Sequence, residues 1–305
     1  MPTYIKFKIG ADPEWMATSR DRLASATAIE ASTFLGNRKS RVSSLNSDCS
    51  CPSVLENMKL GADGSGRPFE VRPDPDENPI GVVQNISNIL KESVDADPGL
   101  LDLDWFSGPF KHGWPLGGHI HFGLYGQSYN SSGLIQALDD HLAAMIALVE
   151  GVGGKDRRNH YGRPGDVRDQ TWGIEYRTPS SWLVSPYVAA ACLCLAKTVA
   201  HEYLNNSRFQ WHRHSMSTDI YGSSSLILTN SIKDLRKLLP NIWEDITKME
   251  MYKEYKGYID ILNFLATNNL TWEPKCGMKA AWGIVSPVSA MPSRVSLSTI
   301  WENNK

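Results

Sequence analysis

The sequence predicts an α+β fold in which helices cover one face of a largely antiparallel sheet and the other face carries a functional site. Four short segments alternate polar and apolar residues, which is typical of half-buried strands. Three longer segments repeat apolar residues at helical spacing. Because strands and helices interleave along the chain, the helices can pack on one side and leave the other side of the sheet free for chemistry.

Each strand segment carries two polar groups two residues apart, so both lie on the same side of the strand. In residues 117–123, His119 and His121 face one way, and Ile120 and Phe122 face the other. If the four strands share one sheet, a single face collects Asp12, Glu14, Glu70, Arg72, His119, His121, Glu175 and Arg177. Charges on a buried face are costly unless they pair or bind metal, so this face is predicted to be a site.

Caps and apolar stripes predict the three helices. The first begins at Asn78 and Pro79 and the third at Ser185 and Pro186, because a polar N-cap followed by proline is a typical helix start. The second covers about residues 131–150, where apolar residues form one stripe. All three are expected to pack against the sheet.

The composition is that of an ordinary globular protein. The 305 residues are 41% hydrophobic, enough for a large core, and we expect a single domain over residues 1–305. Residues 206–305 form a helical, tryptophan-rich C-terminal part that the patterns assign poorly. A net charge of −2 gives no support to a nucleic-acid partner. No apolar run approaches the ~20 residues of a membrane span, and no leader pattern is evident, so we expect no membrane partner and a cytoplasmic location.

The cysteines are expected to be reduced and structural. Five cysteines, one necessarily unpaired, fit a reducing compartment. The spacing Cys-x-Cys occurs twice, at Cys49/Cys51 and Cys192/Cys194. The second pair falls in an apolar helix, where residues i and i+2 do not face one another, so we expect core or loop cysteines rather than zinc ligands. His141, near the apolar side of the second helix, is expected to be a packed histidine.

Two stretches have no regular pattern, and each of them allows two interpretations. Residues 33–53 are rich in Ser, Asn and Gly, and they form either a lid over the site or a solvated insertion. Residues 151–168 carry five Lys or Arg residues among glycines, directly before the strand of Glu175. This connector either binds phosphate or carboxylate through its arginines or is a solvated basic loop.

The predicted face favours phosphate chemistry with a hard metal ion. A His-x-His pair with carboxylates can hold zinc, but carboxylate oxygens outnumber the nitrogens and suit magnesium or manganese with a phosphate substrate. Arginines then neutralise the phosphate oxygens. Such a site can activate a carboxylate with ATP as an acyl phosphate, from which an amine displaces phosphate. No protein nucleophile is needed, in agreement with the lack of a convincing Ser/His or Cys/His constellation.

Four ordered motifs resemble those of the phage-encoded carboxylate-amine ligases. They are Gly-Ala-Asp-Pro-Glu at 10–14, Gly-Ala-Asp-Gly to Glu-Val-Arg-Pro at 61–73, Gly-Gly-His-Ile-His-Phe-Gly at 117–123, and Tyr-Gly to Glu-Tyr-Arg-Thr at 161–178. These amidoligases are similar in fold to glutamine synthetase and glutamate-cysteine ligase. The resemblance covers about residues 4–190 and says little about the C-terminal part.

The resemblance implies a curved antiparallel sheet whose concave face binds ATP and Mg²⁺, or Mn²⁺, and joins a small-molecule or peptide carboxylate to an amine. The implied metal ligands are Asp12, Glu14, Glu70, His119, His121 and Glu175. We expect the catalytic residues to be Glu70, Arg72, Arg163 and Arg177. We expect ATP to be bound by Asp63, Arg158, Arg168 and Arg177.

Three further points accompany the resemblance. The related ligases commonly carry Glu-x-Glu in the first strand, whereas this chain has the shorter Asp12 as the first acid. Homo-oligomers are an open possibility, because the relatives by fold often assemble. For a phage-encoded chain the cytoplasm is that of the host.

Two other functions stay open at this stage. A metal-dependent hydrolase would hold zinc on His119, His121 and a carboxylate, although Gly123 stands where the familiar zinc pattern has an aspartate. A non-catalytic phage protein that keeps the ligase fold is the second alternative, since fold does not guarantee activity.

Overall fold

We analysed a computed structural model that describes residues 4–19, 28–35, 59–64, 66–206, 222–274 and 276–285. Most of the predicted loop at 33–53 lies outside these residues, and so does the choice between lid and insertion. Cys49 and Cys51 lie outside them as well.

The described strands are short and pair in antiparallel fashion. They are β1 (Ile9–Ala11), β2 (Glu14–Ser19), β3 (Ala28–Ile29), β4 (Leu60–Ala62), β5 (Phe69–Val71), β6 (Leu103–Phe106), β7 (Phe110–Lys111), β8 (Trp114–Pro115), β9 (Ile120–Gly123), β10 (Val167–Gln170) and β11 (Gly173–Tyr176). With the helices described below, they confirm the predicted α+β class with open, antiparallel sheets.

The histidine strand β9 is internal to a four-stranded sheet of order β1-β9-β11-β10. His121 pairs with Gly10 on one side and with Glu175 on the other. Ile120 and Phe122 are fully buried on the opposite face, as the alternation predicts. The register therefore brings the late acidic strand and the end of the first strand directly beside the histidines.

Glu70 belongs to a second sheet, so the expectation that all four polar strands share one sheet was wrong. This five-stranded sheet has the order β3-β2-β5-β4, with β6 also paired to β2, and its register sets Glu14 opposite Glu70. The break between β1 and β2 falls at Pro13, which has no N–H to continue a ladder. The two sheets nevertheless meet there, because Glu14 N donates to Gly117 O at 2.9 Å.

The described helices are α1 (Ala31–Phe34), α2 (Pro79–Ala96), α3 (Ser131–Val149), α4 (Gly154–His160), α5 (Pro186–Asn205), α6 (Ser223–Leu228), α7 (Ile232–Lys248), α8 (Tyr252–Thr267) and α9 (Met278–Ala281). The predicted N-caps are confirmed, since Asn78 accepts from Ile80 N and Ser185 from Val188 N. The buried α5 packs against α2, α3 and α8. One apolar cluster runs through these helices and both sheets.

Helix α3 contains a π-helical segment, Asp139–Ala143, and by length and composition it is apolar enough to cross a membrane. The sequence predicted this helix at about residues 131–150 as one that packs against the sheet, and it is interrupted by Gln136, Asp139, Asp140 and His141. Of the apolar window, 78% is buried inside the protein, which is the pattern of a core helix. His141 is buried within it, as predicted, and so are Cys192 and Cys194 within α5.

The basic connector at 151–168 is not a loop throughout, because residues 154–160 form α4. Arg157 and Arg158 are buried on this helix. For these two arginines both sequence interpretations, a solvated loop and an open anion site, were therefore wrong. Arg163 and Arg168, which follow the helix, are exposed.

Candidate active site

A cavity of about 190 Å³ lies where the two sheets meet. Its walls are Asp12, Glu14, Asp63, Pro68, Glu70, Trp114, Pro115, His119, Tyr161, Arg168, Glu175 and Arg177. Most of the polar residues come from β-strand ends or from the segments that directly adjoin them. The predicted polar face thus exists, although it is assembled from two sheets rather than one.

The first group of acids surrounds the histidines, and we call Asp12, His119, His121 and Glu175 the histidine cluster. His119 Nδ1 lies 3.2 Å from Asp12 Oδ1 and 3.5 Å from Glu175 Oε1. Asp12, His121 and Glu175 each offer a ligand atom within 4.8 Å of the others. His121 Nε2 lies 3.4 Å from Asp12 Oδ1. Within the described residues, neither Asp12 Oδ1 nor the Nε2 atom of either histidine makes a hydrogen bond of acceptable geometry. These buried atoms could therefore act as metal ligands.

Electrostatics within the histidine cluster favour an ionised Asp12. Burial by itself raises the pKa of Asp12, but the neighbouring imidazoles of His119 and His121 outweigh it and leave the pKa below its usual value. The shorter acid of the first motif therefore reaches both histidines. Its direct contact with a metal ion stays a prediction.

The second group, Glu14, Asp63 and Glu70, we call the carboxylate cluster. Their carboxylate oxygens lie within 4.8 Å of one another. Burial and the charge of Asp63 raise the pKa of Glu14 well above its usual value. Burial also raises the pKa of Glu70 to about 8, despite its ion pair with Arg72. Three adjacent acids cannot all ionise cheaply, and a divalent cation among them would remove that cost.

Arg168 and Arg177 line the cavity beside the histidine cluster. Arg177 Nε lies 3.4 Å from Glu175 Oε1, and Arg168 Nη1 lies 3.3 Å from Glu175 Oε2. Gln170 Nε2 also donates to Glu175 Oε2 at 2.9 Å. These two guanidinium groups are the predicted arginines that the structure brings to the cavity wall.

The other predicted arginines lie elsewhere. Arg72 sits behind Glu70, with Nε 2.5 Å from Glu70 Oε1, and donates to Ala62 O at 3.0 Å. Arg158 is buried in an ion pair with Glu150, and Arg163 is exposed, with Nε donating to Arg158 O. Neither Arg158 nor Arg163 borders the cavity. Because the charge of Arg158 is already paired, we do not carry it forward as an ATP ligand.

Asp63 was predicted to bind ATP, but the structure places it in the carboxylate cluster. Sequence reasoning missed Tyr161 and Trp114 on the cavity wall. Tyr161 was quoted within the fourth motif, at the end of α4, and its hydroxyl donates to Glu14 Oε2 at 3.1 Å. A tyrosine next to a basic stretch does not by itself indicate a site residue. Only its position within the fourth motif could have marked it as one.

Comparison with known families decides the class of protein. A family model described as phage phiEco32-like COOH.NH2 ligase, type 2, matches residues 9–284. The chain belongs to this family. The match extends past the sequence motifs to α9, so the C-terminal helices belong to the region that the family model describes. A search of curated proteins found no match.

One solved structure supports the fold. A chain from the crystal structure of the complex between the prokaryotic ubiquitin-like protein Pup and its ligase PafA aligns with a TM-score of 0.58 and 13% identity, covering 92% of the present chain. The present chain spans 65% of the length of that chain. A structure described as a novel glutamine synthase homolog aligns at 14% identity, with a TM-score of 0.38, covering 86% of the present chain and 70% of that chain.

Proposed function

We propose that this ligase uses ATP and Mg²⁺, or Mn²⁺, to join a carboxylate to an amine through an acyl phosphate. The substrate carboxylate oxygen attacks the γ-phosphorus and releases ADP. The amine nitrogen then attacks the acyl carbon, phosphate leaves, and an amide or isopeptide bond forms. The amine loses a proton in this step, and the carboxylates of Asp63 and Glu70 border the cavity in which it is released.

The observation that carries the proposal is one cavity lined by two arginines and by every residue of the two ligand clusters except His121, which lies beside it. The donors fit a hard divalent cation, because most are carboxylate oxygens and several, among the described residues, are buried without a hydrogen bond of acceptable geometry. The residues that would hold metal are Asp12, His119, His121 and Glu175 in one cluster and Glu14, Asp63 and Glu70 in the other. Bound there, the metal would neutralise phosphate charge.

Arg168 and Arg177 have a complementary role. Both guanidinium groups now neutralise Glu175. A phosphate group in the cavity offers them a second anion, and forked donors suit the oxygens of a transferring phosphoryl group. We assign Arg177, the more buried of the two, to the phosphoryl group and the substrate carboxylate. Arg72 holds Glu70 in place from behind.

The substrates are proposed by class. Family membership gives a carboxylic acid and an amine as the reacting groups. PafA is described as the ligase of a protein, Pup, and the likeness in fold supports including peptide carboxylates among the compounds tested. We also propose that the described elements form one domain, because a single apolar cluster contains residues from both sheets, from α2 and α3, and from α5 to α9.

A zinc hydrolase is the second candidate, favoured by the buried Nε2 atoms of His119 and His121, for which the described part of the chain provides no hydrogen bond. Thermal melting separates the two. The full chain is melted with Mg²⁺, with ATP, with both and with Zn²⁺ alone. A ligand at about 100 times its Kd adds about 2.7 kcal/mol of stability. A shift that requires Mg²⁺ and ATP together supports the ligase proposal, whereas a shift with Zn²⁺ and no response to ATP contradicts it.

A further inference from the structure

Glu14 makes its hydrogen bonds through one oxygen only, as far as the described residues show. Oε2 accepts from Gly117 N at 2.6 Å and from the Tyr161 hydroxyl at 3.1 Å. The side chain is buried, so water cannot readily replace these donors. Glu14 also offers one oxygen to the carboxylate cluster with Asp63 and Glu70. Because Oε2 is doubly hydrogen-bonded, we take Oε1 as that oxygen.

The Tyr161 ring is held from several sides. Its centroid lies 5.8 Å from that of His119, 4.7 Å from the Arg157 guanidinium carbon and 5.4 Å from that of Arg177. These contacts hold the ring so that its hydroxyl donates to Glu14 Oε2.

Arg157 fixes the backbone around this ring. It is fully buried and donates to Thr178 O at 2.6 Å and to Arg177 O at 2.9 Å, at the end of β11. Gly162, next to Tyr161, has φ +75° and packs against the Arg157 guanidinium, so a side chain at position 162 would be excluded on both counts. The ring is thereby tied to the same strand end that carries Arg177.

Gly117 leaves the space that the hydroxyl occupies. A Cβ at this position would lie 2.8 Å from the Tyr161 hydroxyl and would overlap His119 Nε2. The absence of a side chain at Gly117 thus leaves space for both the Tyr161 hydroxyl and the His119 ring. It also supplies the other donor to Glu14 through its N–H.

We infer that Tyr161 is a positioning residue for the divalent cation of the carboxylate cluster, because its hydroxyl fixes the Glu14 carboxylate so that Oε1 faces Asp63 and Glu70. This inference rests on the proposed function, which places a cation in that cluster. Removing a partner that orients a metal ligand typically lowers metal affinity by about 10–100-fold. We expect Tyr161→Phe, which keeps the ring and its contacts, to lose affinity in that range.

Mn²⁺ binding to the full chain, followed by the electron paramagnetic resonance signal of free Mn²⁺ without nucleotide, tests the inference. Tyr252→Phe is the matched control, since Tyr252 also donates to a carboxylate, Asp260, at 2.7 Å, and does not line the cavity. Melting without metal checks the folding of both variants. We expect similar small losses in melting temperature, but an affinity loss of about 10-fold or more in Tyr161→Phe alone.

Each outcome has a distinct meaning. Equal Mn²⁺ affinity in Tyr161→Phe and wild type overturns the inference while the proposed function stands. No Mn²⁺ binding by the wild type overturns both. If Tyr161→Phe does not fold, Gly117→Ala displaces the hydroxyl from the other side, and unchanged affinity in that variant also overturns the inference.

Discussion

The buried ion pair between Arg158 and Glu150 allows a sharp prediction, because Arg158 was first expected to bind ATP. Nη1 lies 2.5 Å from Glu150 Oε1, and the two side chains are 5% and 2% exposed. In Arg158→Met the Glu150 carboxylate keeps a hydrogen bond from Ser180 Oγ but loses its counter-charge. Breaking a buried pair by removing one partner costs about 3–5 kcal/mol.

This cost converts into a measurable melting shift. An unfolding entropy of about 2.1 cal/mol/K per residue, over 305 residues, gives about 0.6 kcal/mol/K, so the melting temperature should fall by about 5–8 °C. Urea unfolding gives the same quantity as a free energy. The exposed pair of Lys248 and Glu244 provides a control, and Lys248→Met should lower the melting temperature far less, because water screens an exposed ion pair.

The double variant Arg158→Met/Glu150→Gln completes the test. Neutralising the orphaned carboxylate should restore a large part of the lost stability, since the penalty arises from a buried unpaired charge. The melting shift produced by Mg²⁺ and ATP should persist in both variants. A single variant that melts like the wild type but no longer responds to ATP would refute the structural role and restore the nucleotide role.

Three further predictions concern the cavity and its support. Glu70→Gln should abolish the melting shift with Mg²⁺ and ATP. Without metal, this variant should melt no lower than the wild type at pH 7, because the raised pKa of Glu70 destabilises the folded wild type above about pH 4.5. A variant that is less stable than the wild type but keeps the melting shift would contradict both expectations. Burial raises the pKa of Asp139 to about 7, so its contribution to stability falls as pH rises from about 4 to 7. In urea unfolding, the stability of Asp139→Asn relative to wild type should therefore grow by about 2–3 kcal/mol between pH 5 and pH 8. A difference that does not change with pH would disprove the raised pKa of Asp139. Asn78→Ala should cost about 1 kcal/mol by removing the N-cap of α2, with no change in the response to ATP, and melting with and without ATP measures both.

The parts of the fold that depend on neighbouring residues were predictable from the sequence. Asn78-Pro79 and Ser185-Pro186 mark helix starts through local capping geometry. The alternation of polar and apolar residues in the histidine strand correctly predicted that Ile120 is buried. The division into two sheets was missed because the effect of Pro13 on the strand ladder was not considered. The extent of the domain and the cytoplasmic location stay predictions.

The candidate site was predictable in its acids and histidines but less so in its arginines. Acidic residues at strand ends point to one cavity whichever sheet each strand joins. The position of an arginine side chain depends on its ion-pair partner, which the sequence does not identify. Arg158 is buried because it pairs with Glu150, where α4 contacts the end of α3. The placement of Asp63 beside Glu14 likewise depends on the pairing of β4, β5 and β2, which the sequence does not state.

The Asp12-Pro13-Glu14 segment has a geometric consequence, since it sends one acid to the histidine cluster and the next to the carboxylate cluster. Two residues of extended chain span at most about 7 Å, whatever surrounds them. The separation of the two ligand groups is therefore limited by covalent bond lengths and not only by how tightly the sheets pack. Looser packing of the surrounding helices can change the shape of the cavity, but it cannot move the Cα atoms of these two acids farther apart than this limit. Inserting one residue between them would raise that limit, even if every ligand were kept.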